Sequence, residues 1–288
     1  MKLIDRLFGS VATHGHVCLG LDTHYDYIPG DFRRKFDTPA DAVYEFNRRI
    51  IGHTLDVAAC YKVQIAYYEA MGLAGIKVYA KTLKYLRDQN AIVIADVKRG
   101  DIAKTAEMYA QAHYSGDFES DFITLNPYMG MDTLEPFIPW IADSNKGAFV
   151  LAATSNPGAS DIEGLCCDGV TVAEKAGDMI SKIAAGYAGD CGYSPIGAVV
   201  GCTNTEQTVR LRERLANLFF LIPGYGAQGG KAQDIAAYLK DGNGGVVNSS
   251  RGVLLAYTKP EFAGMSFDEA ARAECIHMRD EILKYCGR

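Results

Sequence analysis

The sequence predicts a single-domain α/β protein whose 288 residues form one (β/α)8 barrel, and three observations support this prediction. Eight apolar runs of strand length recur along the chain, with helix-compatible segments between them. The runs are almost continuously apolar, as expected of parallel strands that are buried on both faces. No low-complexity linker divides the chain, so we expect one domain over residues 1–288. A doubly wound open sheet produces a similar pattern and stays open as the alternative.

The predicted strands also place polar residues at one end of the barrel. In chain order they are VCLGLD (17–22), YKVQIA (61–66), AIVIADVK (91–98), DFITLNP (121–127), AFVLAAT (148–154), IGAVVGCT (196–203), LFFLIPGYG (218–226) and GVVNSSRG (245–252). Most of these runs end in polar residues. In a barrel of this kind the active site lies at the carboxyl ends of the strands. We therefore expect the functional groups to converge there.

Start signals mark several of the predicted helices. Asp37-Thr38-Pro39 begins a helical segment over residues 39–59, and Ser266 with Glu269 forms a capping box for a helix over 266–286. Two further helices are predicted over 171–188 and 231–241. The connection over residues 155–195 is the longest in the chain. Its irregular first part exceeds an ordinary strand-to-helix loop, and this length suggests a lid or binding loop.

Composition argues against several classes of protein. The net charge is −6 and the isoelectric point is about 5.5, so a nucleic-acid partner is not expected. No apolar run approaches the roughly 18 residues of a membrane span, and charges in the first six residues argue against a signal peptide. The eight cysteines contain no CxxC pair, which favours free thiols in a reducing cytoplasm.

The most informative motif is the end of the third predicted strand, DVKRGDI (96–102). Because residues two apart in a strand point to the same face, Asp96 and Lys98 should project together. Such a charged run is usually a solvated surface turn. Here Asp22 and Lys62 also lie at the ends of neighbouring predicted strands. Charged groups can be buried together at one end of the barrel only if their charges alternate in sign. The alternation of aspartate and lysine here therefore favours an active site.

A glycine-rich loop, GYGAQG (224–229), follows the seventh predicted strand. It matches the GxGxxG pattern of dinucleotide-binding proteins, but the next strand lacks the acidic end that such a site requires. The eighth strand is instead followed by Arg251. Glycine backbone amides after strand seven and a guanidinium after strand eight are typical of a phosphate site in a barrel.

A possible metal motif, His14-x-His16, precedes the first predicted strand. Some barrel hydrolases bind a metal through an HxH pair, but those residues belong at the carboxyl end of the strands. Here the pair lies at the opposite end of the barrel. We therefore expect a solvated loop and no metal site.

The motif Asp96-x-Lys98-x-x-Asp101-Ile resembles that of the orotidine 5'-phosphate decarboxylase family. The segments CLGLD, TSNPG and PGYGAQGG…SSRG, together with Lys62 on the second strand, extend the resemblance over essentially the whole chain. The form KVQIAYYE is similar to the longer-chain branch of many bacteria, called type 2, so we expect no fused transferase. The resemblance implies decarboxylation of orotidine 5'-phosphate to UMP, the last step of pyrimidine nucleotide synthesis, with no cofactor and no metal.

The resemblance also implies roles for individual charged residues. Lys98 would deliver a proton to C6 of the pyrimidine, and Asp96 would lie against the departing carboxylate. Lys62 would contact Asp96 and, together with Asp22, the ribose hydroxyls. Asp101 would help to hold Lys98 charged and oriented from the neighbouring subunit.

Further substrate contacts are implied for the loops. Ser155 would bind the pyrimidine edge, and Thr105 would reach the neighbour's site with Asp101 across the interface of a homodimer. The phosphate would lie against Gln228 and Arg251. The last implied substrate-binding residues are Gly226 and Gly252.

Two other functions remain open from the sequence. Magnesium-dependent sugar-phosphate enzymes, such as keto-gulonate phosphate decarboxylases and hexulose-phosphate synthases, carry a similar Asp-x-Lys-x-x-Asp motif. They have an acidic residue on strand two where this chain has Lys62, and a cation there would repel Mg²⁺. The second alternative is a non-catalytic nucleotide sensor. It would not need the complete set Asp96, Lys98 and Asp101.

Overall fold

Eight parallel strands form a closed barrel in the computed structural model, which describes residues 1–202, 205–226 and 229–287, without the side chains of 205–208. The barrel strands are β1 (Val17–Gly20), β2 (Cys60–Gln64), β3 (Val93–Arg99), β4 (Phe122–Leu125), β5 (Gly147–Ala153), β6 (Ser194–Val200), β7 (Leu218–Ile222) and β8 (Gly245–Ser249). Each strand pairs with the next along the chain, and β8 pairs with β1. The closed order confirms the predicted barrel and excludes the open sheet.

The register brings the ends of neighbouring strands together. Lys62 on β2 lies opposite Ile94 on β3, and Gln64 lies opposite Asp96. On the other side of the barrel seam, Val17 of β1 lies opposite Val247 of β8. Because all strands run in the same direction, the polar residues that follow them meet at one end of the barrel.

Helices cover the outside of the barrel. They are α1 (Leu3–His14), α2 (Gly30–Arg33), α3 (Pro39–Thr54), α4 (Ile65–Glu69), α5 (Gly72–Asp88), α6 (Ala103–Tyr114), α7 (Ile138–Asp143), α8 (Val172–Ala184), α9 (Thr205–Arg214), α10 (Ala232–Ile235), α11 (Arg251–Leu254) and α12 (Phe267–Tyr285). Two predicted start signals are confirmed. The Thr38 hydroxyl accepts a hydrogen bond from the Asp41 amide at 3.1 Å, and Ser266 and Glu269 form a reciprocal capping box.

The helix predicted over 231–241 is shorter than expected. Only Ala232–Ile235 is α-helical, and a 3₁₀ turn over Ala236–Tyr238 ends it. The chain then reverses direction through Asp241 and Gly242, both with positive φ, so that the Lys240 amide bonds the Asn243 carbonyl at 2.8 Å. This turn directs the chain into β8, and a continued helix would carry it past the strand.

The core has an inner and an outer layer, because alternate strand residues point to opposite faces. Inward residues such as Ile94, Phe122 and Phe149 form one cluster with the apolar face of α1, which closes the amino-terminal end of the barrel. Outward residues such as Val93 and Ala95 pack in a second cluster with the surrounding helices. The plugged lower end leaves the carboxyl end of the strands open for a site.

The predicted HxH motif lies at this plugged end. His14 is the last residue of α1, and the expectation of a solvated loop is wrong for His16, which is fully buried and lies 3.0 Å from the Gly242 carbonyl oxygen. Among the described residues, a cluster with metal-ligand geometry occurs elsewhere, at Glu261, Glu274 and His277. Cys18, Cys60 and Cys202 are buried, as their position in or beside apolar runs suggests, and Cys166 and Cys167 are exposed. Within the described ranges, no helix combines the length and the apolarity that a membrane crossing requires.

The long connection after β5 contains ordered structure. A 3₁₀ turn over Pro157–Asp161 is followed by a two-stranded hairpin, in which Cys166–Cys167 pairs with Val170–Thr171. Helix α8 then begins with a capping box between Thr171 and Glu174 that the sequence analysis did not identify. The connection is therefore built on defined hydrogen bonds.

Candidate active site

A cavity of about 420 Å³ opens at the carboxyl end of the barrel strands. Residues from the ends of β1, β2, β3, β5 and β8 line it, including six that the sequence analysis singled out: Asp22, Lys62, Asp96, Lys98, Ser155 and Arg251. The strand-end residues therefore converge on one site.

An array of alternating charges forms the floor of the cavity. Lys62 Nζ lies 2.8 Å from Asp96 Oδ2 and 3.2 Å from Asp22 Oδ1. Lys98 Nζ lies 2.6 Å from the other oxygen of Asp96, Oδ1. The side chains of Lys62 and Asp96 are only 6% and 8% exposed, whereas that of Lys98 is 46% exposed. Lys98 is thus the cation of this array that a molecule in the cavity meets most directly.

The array perturbs the acidity of its buried members. Burial alone would raise the pKa of Asp96, but the ammonium groups of Lys62 and Lys98 outweigh it and hold that pKa well below its ordinary value. Burial alone would lower the pKa of Lys62, and the carboxylates of Asp22 and Asp96 reverse this effect, so the pKa of Lys62 is raised. Both groups therefore remain charged at neutral pH, which keeps the cavity floor strongly polar.

Uncharged side chains complete the hydrogen bonds of the two carboxylates. Gln64 Nε2 donates to Asp96 Oδ2 at 3.0 Å, and Thr124 Oγ1 donates to Asp96 Oδ1 at 3.0 Å. Ser250 Oγ donates to Asp22 Oδ2 at 2.9 Å. The sequence analysis missed Thr124, although its position in phase with Phe122, on the inward face of a strand, was a usable signal.

Glycine at position 20 makes the Asp22 contact possible. A Cβ atom at Gly20 would lie 2.0 Å from Ser250 Oγ, the hydroxyl that bonds Asp22. Any side chain at this position would displace that hydroxyl. The close approach of β1 and β8 therefore depends on glycine.

The glycine-rich loop after β7 borders the cavity beside Arg251. Gly224 and Tyr225 line the cavity, and Gly226 has φ of 66°, a left-handed conformation that glycine adopts without strain. The Gly226 amide donates a hydrogen bond to the Gly230 carbonyl at 3.0 Å, and this bond joins the two sides of the loop. Gln228 lies outside the described residues.

Arg251 begins α11 directly after β8, and Gly252 packs against the end of that strand. A Cβ atom on Gly252 would lie 2.8 Å from Ser249 Oγ. The guanidinium of Arg251 therefore sits on a closely packed strand–helix junction at the cavity edge. Arg251 and the glycine loop both border the cavity, and a guanidinium together with backbone amides suits an anionic group.

Ser155 also lines the cavity, at the start of the long connection after β5. The preceding residue, Thr154, is held by Glu163, whose carboxylate accepts from the Thr154 amide at 2.7 Å and from its hydroxyl at 2.6 Å. Glu163 thereby ties the hairpin segment to the end of β5. The sequence analysis did not single out this carboxylate.

Two of the predicted site residues lie away from the cavity of their own chain. Asp101 accepts a hydrogen bond from the Ile102 amide at 2.8 Å, and Thr105 is exposed on the first turn of α6. Neither occurs among the described residues that line the cavity. Their positions leave open the predicted role in a neighbouring subunit.

A closed parallel barrel whose charged residues converge at the carboxyl ends of its strands defines the class of (β/α)8-barrel enzymes. The family model described as "Orotidine 5'-phosphate decarboxylase / HUMPS family" matches residues 15–265. The orotidine 5'-phosphate decarboxylase of Clostridium acetobutylicum is 58% identical over 283 residues, which cover 98% of this chain and 99% of that protein. The chain therefore belongs to the orotidine 5'-phosphate decarboxylase / HUMPS family, and the resemblance stated from its motifs is confirmed.

Solved structures show the same architecture. Leishmania donovani OMP decarboxylase is 28% identical, with a TM-score of 0.78 and full coverage of both chains. Leishmania donovani UMP synthase is 30% identical, with a TM-score of 0.81; the match covers 99% of this chain and 57% of that one. The barrel therefore lies in a well-defined structural family.

Proposed function

We propose that this protein decarboxylates orotidine 5'-phosphate to UMP without a cofactor, with Lys98 as the proton donor. The observation that carries the proposal is the contact of Lys98 Nζ with Asp96 Oδ1 at 2.6 Å, in a cavity that also holds Lys62 and Asp22. The full-length similarity to decarboxylases of Clostridium species supports this substrate.

The chemical difficulty lies in the electron pair that remains when CO2 leaves. Loss of CO2 from C6 of the pyrimidine leaves an electron pair in a ring orbital without conjugation to a carbonyl. An ammonium group already in place stabilises this developing charge and then donates the proton that forms the C–H bond of UMP. Lys98 supplies that ammonium group, and Asp96 orients it. The substrate carboxylate, placed beside Asp96, leaves the site as neutral CO2.

The remaining parts of the nucleotide fit the periphery of the cavity. We place the ribose hydroxyls against Asp22 and Lys62, and the pyrimidine edge against Ser155. The phosphate lies between Arg251 and the glycine loop with Gln228, bordered by Gly226 and Gly252. Binding energy from the distant phosphate then contributes to holding C6 at Lys98.

The charge of Lys62 distinguishes this function from a magnesium-dependent reaction. Lys62 already neutralises Asp22 and Asp96, the two carboxylates closest to it. A divalent cation at this position would meet the positive charge of an ammonium group that is only 6% exposed. The geometry therefore favours the metal-free decarboxylation.

We further propose that the active form is a homodimer in which Asp101 and Thr105 contribute to the partner's site. Both residues lie outside the cavity of their own chain, and exposed apolar side chains occur in the segments that follow β3 and β4. These side chains are Ile102, Met108, Tyr128 and Met129. Covering such side chains with a second copy removes apolar surface from water. The free thiols support a location in the cytoplasm, as the sequence analysis expected.

The proposal is tested by following the ultraviolet absorbance of orotidine 5'-phosphate with the purified protein, before and after treatment with EDTA. We expect turnover that the chelator does not change, and loss of turnover by at least about 1,000-fold in Lys98→Ala with UMP binding still measurable. Lys84→Ala is the matched control, because Lys84 is exposed on α5 and forms a surface ion pair with Asp88. Loss of activity with EDTA, or near-normal product formation by Lys98→Ala, would contradict the proposal.

A further inference from the structure

The backbone of β3 is irregular at the position of the proposed proton donor. Ala95 lies opposite Ile123 of β4, but the next pair in the register is Arg99 with Leu125. Residues 96–98 of β3 therefore face the single residue 124 of β4. Lys98 has φ of 43°, a left-handed conformation that strains any residue with a Cβ atom. A bulge with this strain needs support from its surroundings.

The bulge contains both members of the Asp96–Lys98 pair, which face the cavity. Asp96 and Lys98 line the cavity, whereas Val97 between them packs in the outer cluster with the helices. A regular strand would carry Lys98 one pleat further along, opposite the loop after β4. With the bulge, residues 96–98 all lie opposite residue 124 of β4, so Lys98 stays close to Asp96. Lys98 Nζ lies 2.6 Å from Asp96 Oδ1.

A single hydroxyl group on β4 holds this bulge. Thr124 is 1% exposed, and its Oγ1 accepts hydrogen bonds from the amides of Val97 at 2.9 Å and of Lys98 at 2.8 Å. The same hydroxyl donates to Asp96 Oδ1 at 3.0 Å. A hydroxyl has one proton to donate and two lone pairs to accept, so these three bonds use its full capacity.

We propose that Thr124 is a positioning residue for the reaction, which fixes the bulge and thereby the direction of both Asp96 and Lys98. It bonds the backbone of Lys98 and the same carboxylate oxygen that Lys98 Nζ contacts. Among the cavity-lining residues that the structure describes, no other side chain hydrogen-bonds to both residues of the pair and to the amide between them. This inference rests on the proposed decarboxylation.

The test compares Thr124→Val, which keeps the shape but removes the hydroxyl, with Thr124→Ser, which keeps the hydroxyl. In Thr124→Val two buried amides lose their acceptor, so the bulge relaxes and Lys98 moves relative to C6. We expect kcat to fall by about 100-fold, with the Kd for UMP within about 3-fold of the parent, because UMP does not need the proton donor. Thr124→Ser should recover kcat to within about 5-fold of the parent.

The control is Thr54→Val, which removes another fully buried hydroxyl, on α3 away from the cavity. It should change the melting temperature without changing kcat. A kcat of Thr124→Val within about 3-fold of the parent would overturn the inference, and so would equal losses in kcat and UMP affinity. If Thr124→Val does not fold, Thr124→Cys, whose thiol is a weak acceptor, is measured against the same criteria. An inactive parent protein would instead contradict the proposed function itself.

Discussion

At the residue scale, the buried ion pair between Lys62 and Asp96 links the chemistry of the site to the stability of the barrel. Each side chain is less than a tenth exposed, so neither charge is tolerable without the other. Asp22 and Lys98 complete the alternation of charge around this pair. Removal of one member therefore affects folding as well as binding.

We expect Lys62→Met to lower the free energy of unfolding by about 3 kcal/mol at pH 7, because it leaves Asp96 buried with one cation fewer. The pKa of Asp96 in the folded protein lies below its ordinary value of 3.8, so Asp96 stabilises the fold above that pH and this contribution fades as the pH falls. Without Lys62, protonation of Asp96 becomes easier. Because Asp96 of the unfolded chain takes up its proton near pH 3.8, the difference between variant and parent should shrink as the pH falls below that value.

Urea unfolding at pH 7, 5 and 3, followed by circular dichroism, measures this difference. Lys84→Met is the control, because Lys84 is 67% exposed and its removal should change stability by less than about 0.5 kcal/mol. A destabilisation by Lys62→Met that stays constant across these pH values would show that the lost interaction does not involve the charge of Asp96.

At the element scale, the sequence predicted which side chains lie at the strand ends. It did not predict the hydrogen bonds and the irregular register that hold those side chains in place. Alternation along β3 predicted that Asp96 and Lys98 share a face, and the strand-end positions of Asp22 and Lys62 predicted that all four converge. The bulge that Thr124 holds could not be predicted, because threonine is an ordinary strand residue and the register depends on both strands. Local patterns reveal which way a side chain points, but they do not reveal an irregular register.

The long connection after β5 gives a second example at this scale. Its length predicted a functional loop, but not the bond from the Glu163 carboxylate to Thr154, which depends on how the hairpin folds back. This bond fixes the residue directly before Ser155. The connection therefore acts as a support for the cavity wall.

We expect Glu163→Ala to lower kcat/KM for orotidine 5'-phosphate by about 10-fold, because Ser155 loses its fixed position against the pyrimidine. Asp161→Ala is the matched control, because it removes an exposed carboxylate of the same connection. It should leave kcat/KM within about 2-fold of the parent. Steady-state kinetics of both variants provide the comparison. Equal effects of the two substitutions would mean that Glu163 does not position the loop.

At the scale of the whole molecule, the proposed dimer gives each site residues from two chains. Lys98 and Lys62 line the cavity of their own chain, whereas Asp101 lies outside it. In a mixed dimer of one Lys98→Ala chain and one Asp101→Ala chain, both substitutions would then fall in the same site and leave the other site intact. A monomeric enzyme would carry both functions in one chain, so the two arrangements make opposite predictions.

We expect a mixture of Lys98→Ala and Asp101→Ala chains, refolded together in equal amounts, to recover about one quarter of the parent activity. About half of the dimers would be mixed, and in each of these one site combines an intact Lys98 with an intact Asp101 from the partner. Lys98→Ala mixed with Lys62→Met is the control, because both lesions fall in the cavity of their own chain and no mixed dimer contains an intact site. Light scattering gives the mass of each mixture, and the absence of recovery in a confirmed dimer would place Asp101 outside the partner's site.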